Sequence, residues 1–130
     1  MKTLVLDTNA YSNLFRGEQN VADALAEADR VFLPVTVLAE LLAGFKMGSR
    51  EKQNRDHLNL FLSKPTVTLL TTDENVAESY ADLVKNMRAL GRKIPTNDLW
   101  IAAHTFATGG QLLTFDSHFE SVPGLRLWPK

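Results

Sequence analysis

Four acidic residues stand where they can do chemistry: Asp7, Glu40, Asp98 and Asp116. Asp7 follows the apolar run Leu4-Val5-Leu6, and Asp116 follows a second strand-like run, Gln111 to Phe115. The carboxyl ends of strands in an open α/β sheet are where such folds bind ligands. Asp98 falls in the first turn of an apolar helix. Glu40 is the only charge in the apolar stretch from Val35 to Phe45, and no Lys or Arg lies within a helical turn of it. A buried carboxylate without a partner is costly, so a cation shared with the other acids is the economical solution. Oxygen-only clusters select Mg²⁺ or Mn²⁺ over zinc, which prefers imidazole and thiolate. Such ions serve phosphoryl chemistry, one activating water and another steadying the leaving oxygen, about 3.5–4 Å apart. The chain has no Cys, which removes disulfides, thiolate zinc sites, iron–sulfur clusters and cysteine nucleophiles.

Each acid also has an ordinary structural reading. Asp7 and Asp116 fit as helix N-caps or turn residues, and Asp98 as a first-turn acid favoured by the helix dipole. The charge balance bears on the choice. Lys and Arg number 14 against 15 Asp and Glu, a formal charge of −1, so no strongly basic footprint exists in bulk. Setting the four acids aside leaves 11 of the 15 against 14 bases, a formal +3 on the rest. Metal loading would then turn a repulsive pocket into a site for a polyanion. The bases also cluster along the sequence. Lys46, Arg50, Lys52 and Arg55 form one group, and Lys85, Arg88, Arg92 and Lys93 another just before Pro95 and Asp98. These groups either border the mouth of the acidic pocket or form solvated helix faces.

The elements that must hold these residues follow from periodicity. Strand-length apolar runs alternate with segments of helical period, the pattern of an α/β fold with a mainly parallel sheet and helices on both faces. Strands are expected at Leu4–Leu6, Val31–Leu33, Thr66–Leu70, Gln111–Phe115 and Leu125–Leu127. Helices are expected at Ala10–Phe15, Asn20–Ala28, Val35–Phe45 (punctuated by Gly44 and Gly48) and Ser49–Leu62. A fifth is opened by a Thr71/Glu74 capping box and carries Val76, Tyr80, Leu83, Val84, Met87 and Leu90 as its buried stripe, to a left-handed stop at Gly91. A sixth, capped by Thr96, is apolar nearly all round and ends at Gly109-Gly110. At 130 residues, 45% hydrophobic and 22% charged, the chain is of ordinary globular composition and fills one domain, residues 1–130. Three apolar residues before Asp7 make neither a signal sequence nor a membrane span, and a cytoplasmic location is expected.

In this order and at these separations, four segments resemble the PIN-domain ribonucleases, in particular the VapC-type toxins of toxin–antitoxin pairs. They are Leu6-Asp7-Thr8-Asn9, Glu40 with Gly44, Pro95 followed by Asp98-Leu99-Trp100-Ile101-Ala102-Ala103, and Leu113-Thr114-Phe115-Asp116 with Phe119. The resemblance implies a Rossmann-like three-layer fold and metal-dependent hydrolysis of RNA, commonly tRNA, rRNA or mRNA. It makes Asp7, Glu40, Asp98 and Asp116 the catalytic metal ligands, with Thr8, Asn9 and Thr114 as hydrogen-bond partners that orient them. It also implies a homodimer, inhibition by a small antitoxin that presents an Arg to the acids, and assembly into a larger toxin–antitoxin complex. Many relatives carry another carboxylate two residues after the last aspartate, where this chain has His118, which puts a second metal in doubt.

His118 fits either as a contact to phosphate or metal-activated water, or as a solvated turn residue. Asn97 is a helix-start polar group or a substrate contact. Lys46, Arg50, Arg88 and Arg92 are the cations best placed for RNA. His57 and His104 read as structural, His104 as a hydrogen-bonded core residue, and Trp100 and Trp128 as core or dimer anchors. A second enzyme class and a signalling module fit less well. A phosphatase with Asp7 as nucleophile lacks the second carboxylate, since that position is Asn9, and a receiver domain lacks paired acids at the first strand. No GxGxxG or GxxxxGK[ST] occurs. The remaining alternative is a PIN-like binding module that acts through a protein partner on a DNA-bound complex. Retention of all four acids argues against it, because such a cluster is costly to keep without metal.

Overall fold

The computed structural model describes residues 1–129. Its centre is a five-stranded sheet, β1 (Thr3–Leu6), β2 (Arg30–Pro34), β3 (Val67–Leu70), β4 (Gln111–Leu113) and β5 (Leu127–Trp128). The strands lie in the order β3-β2-β1-β4-β5 and every pairing is parallel. The helices are α1 (Thr8–Phe15), α2 (Gln19–Glu27), α3 (Val35–Met47), α4 (Glu51–Leu62), α5 (Glu74–Ala89) and α6 (Thr96–Thr108), with a short 3₁₀ turn over Ser117–Ser121. From β1 the chain winds outward through β2 to β3, then crosses back to β4 and β5. Right-handed crossovers of opposite direction set α1–α4 on one face and α5 and α6 on the other. The reversal falls between β1 and β4, the switch point where this class of sheet opens its crevice.

The strands read as continuous apolar runs because both faces are covered: Leu4, Val5, Leu6, Leu33, Leu112 and Leu113 are fully buried. On α6, Ile101 to Thr105 are all buried, as its nearly unbroken apolar character predicts. His104 is 0% exposed. It pairs with Trp100 O at 2.7 Å and Thr72 Oγ1 at 3.0 Å, and burial lowers its pKa. Trp100 stacks on Tyr80 with ring centroids 3.8 Å apart, and Trp128 meets Phe115 edge-on. Gly110 is buried where a Cβ would lie 2.7 Å from Thr3 O, so the start of β4 approaches β1 more closely than any side chain permits.

Local chemistry shifted several expected boundaries. The capping box does not form: Asp73 caps α5 by accepting from Val76 N–H, leaving Thr71 outside. Pro95 takes the cap position of α6, so Thr96 is its first helical residue. Of the expected α5 stripe, Val76, Leu83 and Met87 are buried, whereas Leu90 is exposed past the helix end. Gly44 lies inside α3 and Gly48 caps it. β4 stops at Leu113 because Thr114 Oγ1 accepts the Asp116 N–H at 3.0 Å and turns the chain. β5 begins at Leu127, since Leu125 N–H is used in a turn with Val122 O. Among the described residues no helix is long and apolar enough to cross a membrane.

Candidate active site

All four acids sit at the carboxyl end of the sheet or on the helices that frame it. Asp7 follows β1 directly and caps α1: its Oδ1 accepts Ala10 N–H at 2.8 Å, and its Oδ2 accepts from Thr114 Oγ1 in the loop after β4. Asp116 leaves the same loop and caps the 3₁₀ turn through His118 N–H at 2.9 Å. The structural and chemical readings of these two residues are therefore compatible, because a capping carboxylate keeps lone pairs free. Asp98 lies in the first turn of α6, and Glu40 in mid-α3. Glu40 is half-buried rather than sequestered, and neutral donors hold it: Thr8 Oγ1 at 2.6 Å on Oε1 and Asn97 Nδ2 at 3.3 Å on Oε2.

The electrostatics link the four acids in pairs. Asp7 is 4% exposed, and its carboxyl is pushed up to about 6, first by burial and then by the negative charges of Asp116 and Asp98, against the pull of its two hydrogen bonds. Asp98 is raised by burial, by Asp116 and by Glu40, while His118 pulls it down. Each acid thus repels at least one other across segments far apart in sequence. Among the described residues no Lys or Arg forms a salt bridge with any of the four. Carboxylate oxygens of this kind suit a hard divalent cation; among the described residues Asp98, Asp116 and His118 bring donor atoms within 4.8 Å of one another, and Asp7 and Glu40 lie outside that group.

His118 is not a solvated bystander, the commoner fate of a turn histidine. Its Nδ1 lies 3.1 Å from Asp116 Oδ1 and 3.4 Å from Asp98 Oδ2. Nothing in the sequence flagged this contact, because Asp98 is remote along the chain and a 3₁₀ turn has no readable period. Asn97 reaches Glu40, a pairing across α3 and α6 that sequence left open. Asn9 is exposed and makes no hydrogen bond to the four carboxylates among the described residues. The flanking cations divide. Lys46 is paired with Glu51 at 3.2 Å, and Arg50 precedes α4 on the surface. Arg88 and Arg92 line a cavity of about 300 Å³ with Leu99, the residue after Asp98, and Arg92 Nη1 donates to Ser121 O at 2.9 Å, beside the 3₁₀ turn.

Comparison with known proteins accords with this architecture. A PIN-domain family model matches residues 4–125. Ribonuclease VapC4 of Mycobacterium tuberculosis is 32% identical over 93 residues, 72% of each chain. Ribonuclease VapC5 of the same organism is 30% identical over 120 residues, covering 92% of this chain and 87% of that one. The solved structure of VapBC2 from Rickettsia felis, bound to a DNA fragment from its promoter, superposes with a TM-score of 0.84 at 27% identity over 96% of both chains. The chain belongs to the PIN-domain family, whose nucleases use divalent metal ions. Within that family it is a ribonuclease toxin of the VapC type, from the type II toxin–antitoxin systems.

Proposed function

We propose that the chain is a Mg²⁺- or Mn²⁺-dependent endoribonuclease whose ions are held by Asp7, Glu40, Asp98 and Asp116. The supporting observation is the mutual repulsion of these carboxylates at the sheet's switch point with no Lys or Arg salt-bridged to them among the described residues. Bound there, divalent ions supply Lewis-acid activation of water and counter-charge for the leaving oxygen. The chain's own residues supply alignment. Thr114 fixes Asp7 by donating to Oδ2, and the same hydroxyl accepts the Asp116 N–H. One side chain thereby sets the spacing of two acids. Thr8 and Asn97 hold both oxygens of Glu40, so α1 and α6 orient a residue borne on α3. Asp98 is presented at an α6 N-terminus whose dipole favours negative charge.

RNA is the polyanion that a metal-loaded pocket would attract. Arg88 and Arg92, which line a cavity reaching Leu99, would supply contacts to phosphates, and Lys46 and Arg50 further ones. The targets are loops or single strands of tRNA, rRNA or mRNA, whose splayed bases a groove can read. A small antitoxin controls the activity by covering the acids, the chain pairs as a homodimer, and the complex extends to promoter DNA as the Rickettsia felis relative does. RNA and antitoxin are both met in the cytoplasm, where the chain acts. The test is cleavage of a total tRNA and structured-RNA pool by purified chain with Mg²⁺, Mn²⁺ or EDTA, beside Asp98→Asn prepared identically. Discrete, metal-dependent products absent from the variant are expected; equal cleavage by both proteins would overturn the assignment.

A further inference from the structure

The donor atoms of Asp98, Asp116 and His118 all lie within 4.8 Å of one another. His118 Nδ1 is 3.1 Å from Asp116 Oδ1 and 3.4 Å from Asp98 Oδ2, the spacing of neighbouring ligands about 2.0–2.3 Å from one ion. The ring is presented by a fixed turn rather than by a loose side chain. Asp116 accepts His118 N–H, Ser121 Oγ donates to His118 O at 2.8 Å, and buried Phe119 anchors the next position. Arg92 ties the end of the turn through Ser121 O. Every other donor in the cluster is oxygen, and His118 brings the one nitrogen.

We propose that His118 is a direct ligand of a divalent ion shared with Asp98 and Asp116, and that its imidazole biases this site toward Mn²⁺ over Mg²⁺. The inference rests on reading the acid cluster as a metal site. Mg²⁺ demands oxygen octahedra and retains its waters, whereas Mn²⁺, the softer of the two ions, tolerates a nitrogen among its oxygen ligands more readily. A histidine that served only as a hydrogen-bonding neighbour of the two carboxylates would change the affinity for both ions alike.

The experiment is electron paramagnetic resonance titration of the whole chain with Mn²⁺, with Mg²⁺ affinity read by competition, for wild type, His118→Gln and His118→Asp. The His118→Gln change is expected to weaken Mn²⁺ binding by about 10-fold or more, and Mg²⁺ binding by far less. The His118→Asp change, which restores an oxygen donor, shifts the preference back toward Mg²⁺. Spin-echo modulation from a coordinated ¹⁴N is expected on Mn²⁺ in wild type and absent in His118→Gln. The side chain is exposed, so both variants fold, which thermal melting verifies. Mn²⁺ bound without ¹⁴N modulation, or equal losses for both ions, would overturn the role of His118 alone. Failure of wild type to bind either ion, or binding that survives Asp98→Asn with Asp116→Asn, would overturn the acid-cluster reading and this inference together.

Discussion

Among the described residues Asp7 is the carboxyl pushed furthest from its ordinary value, and the sign of that shift makes a clear prediction. Its carboxyl titrates at about 6 in the fold against an ordinary 3.8, so the folded state holds the proton more tightly than the unfolded one. The stability it contributes is complete below about pH 4 and is lost as pH rises through about 6, approaching 3 kcal/mol. Asp7→Asn removes that loss while its amide oxygen can still cap Ala10 N–H. Without metal, the variant is expected to melt above wild type at pH 7.5, with the gap closing toward pH 4, as thermal denaturation across that range will show. RNA cleavage by the same variant should fall by more than about 100-fold, beyond what loss of an outer hydrogen-bonding partner costs. Thr114→Val tests the outer partner: it frees Asp7 Oδ2 and orphans the Asp116 N–H, and activity should drop about 10–100-fold with a modest fall in melting temperature. All four acids were singled out from their sequence neighbours: a strand before Asp7 and Asp116, the first turn of an apolar helix around Asp98, and unbroken apolar residues around Glu40. The contact of His118 with Asp98 and that of Asn97 with Glu40 were not, since each depends on two elements meeting in space.

Helix and strand types were readable nearly throughout, while their ends were not. An N-cap is decided by which of several polar residues reaches the free N–H groups. In the Thr71-Thr72-Asp73-Glu74 segment that competition goes to Asp73, whose ionised oxygen is the stronger acceptor. Asp73→Ala is expected to lower stability by about 1 kcal/mol, measured by urea unfolding, and Thr71→Ala to leave it unchanged. The seam between β1 and β4 is more demanding. A methyl on Gly110 meets both the carbonyl and the side chain of Thr3, backbone that cannot give way without spreading the strands. Gly110→Ala should therefore cost about 1–3 kcal/mol. It should also reduce cleavage, because the same seam sets the distance from Asp7 to Thr114.

Ion binding couples the site to the stability of the entire fold. A ligand that binds only the native state at 100 times its Kd adds about 2.7 kcal/mol. Saturating Mn²⁺ should accordingly raise the melting temperature by several degrees, EDTA should reverse the shift, and Asp98→Asn should abolish it. The shift should be larger at pH 8 than at pH 5.5, where the Asp7 proton competes with the ion. The sum of −1 says little by itself; the formal +3 left when the four acids are set aside is what points to them. The crossing from β3 back to β4 also divides the site by chain segment. Asp7 and Glu40 precede the exposed Gly91, and Asp98, Asp116 and His118 follow it. Fragments 1–91 and 92–130 are each expected to be harmless to a cell that makes only one of them. Made together they can rejoin along the pairing of β1 with β4 and the packing of α6 against α5 and α3, so growth arrest on co-expression would make the toxin a two-input gate.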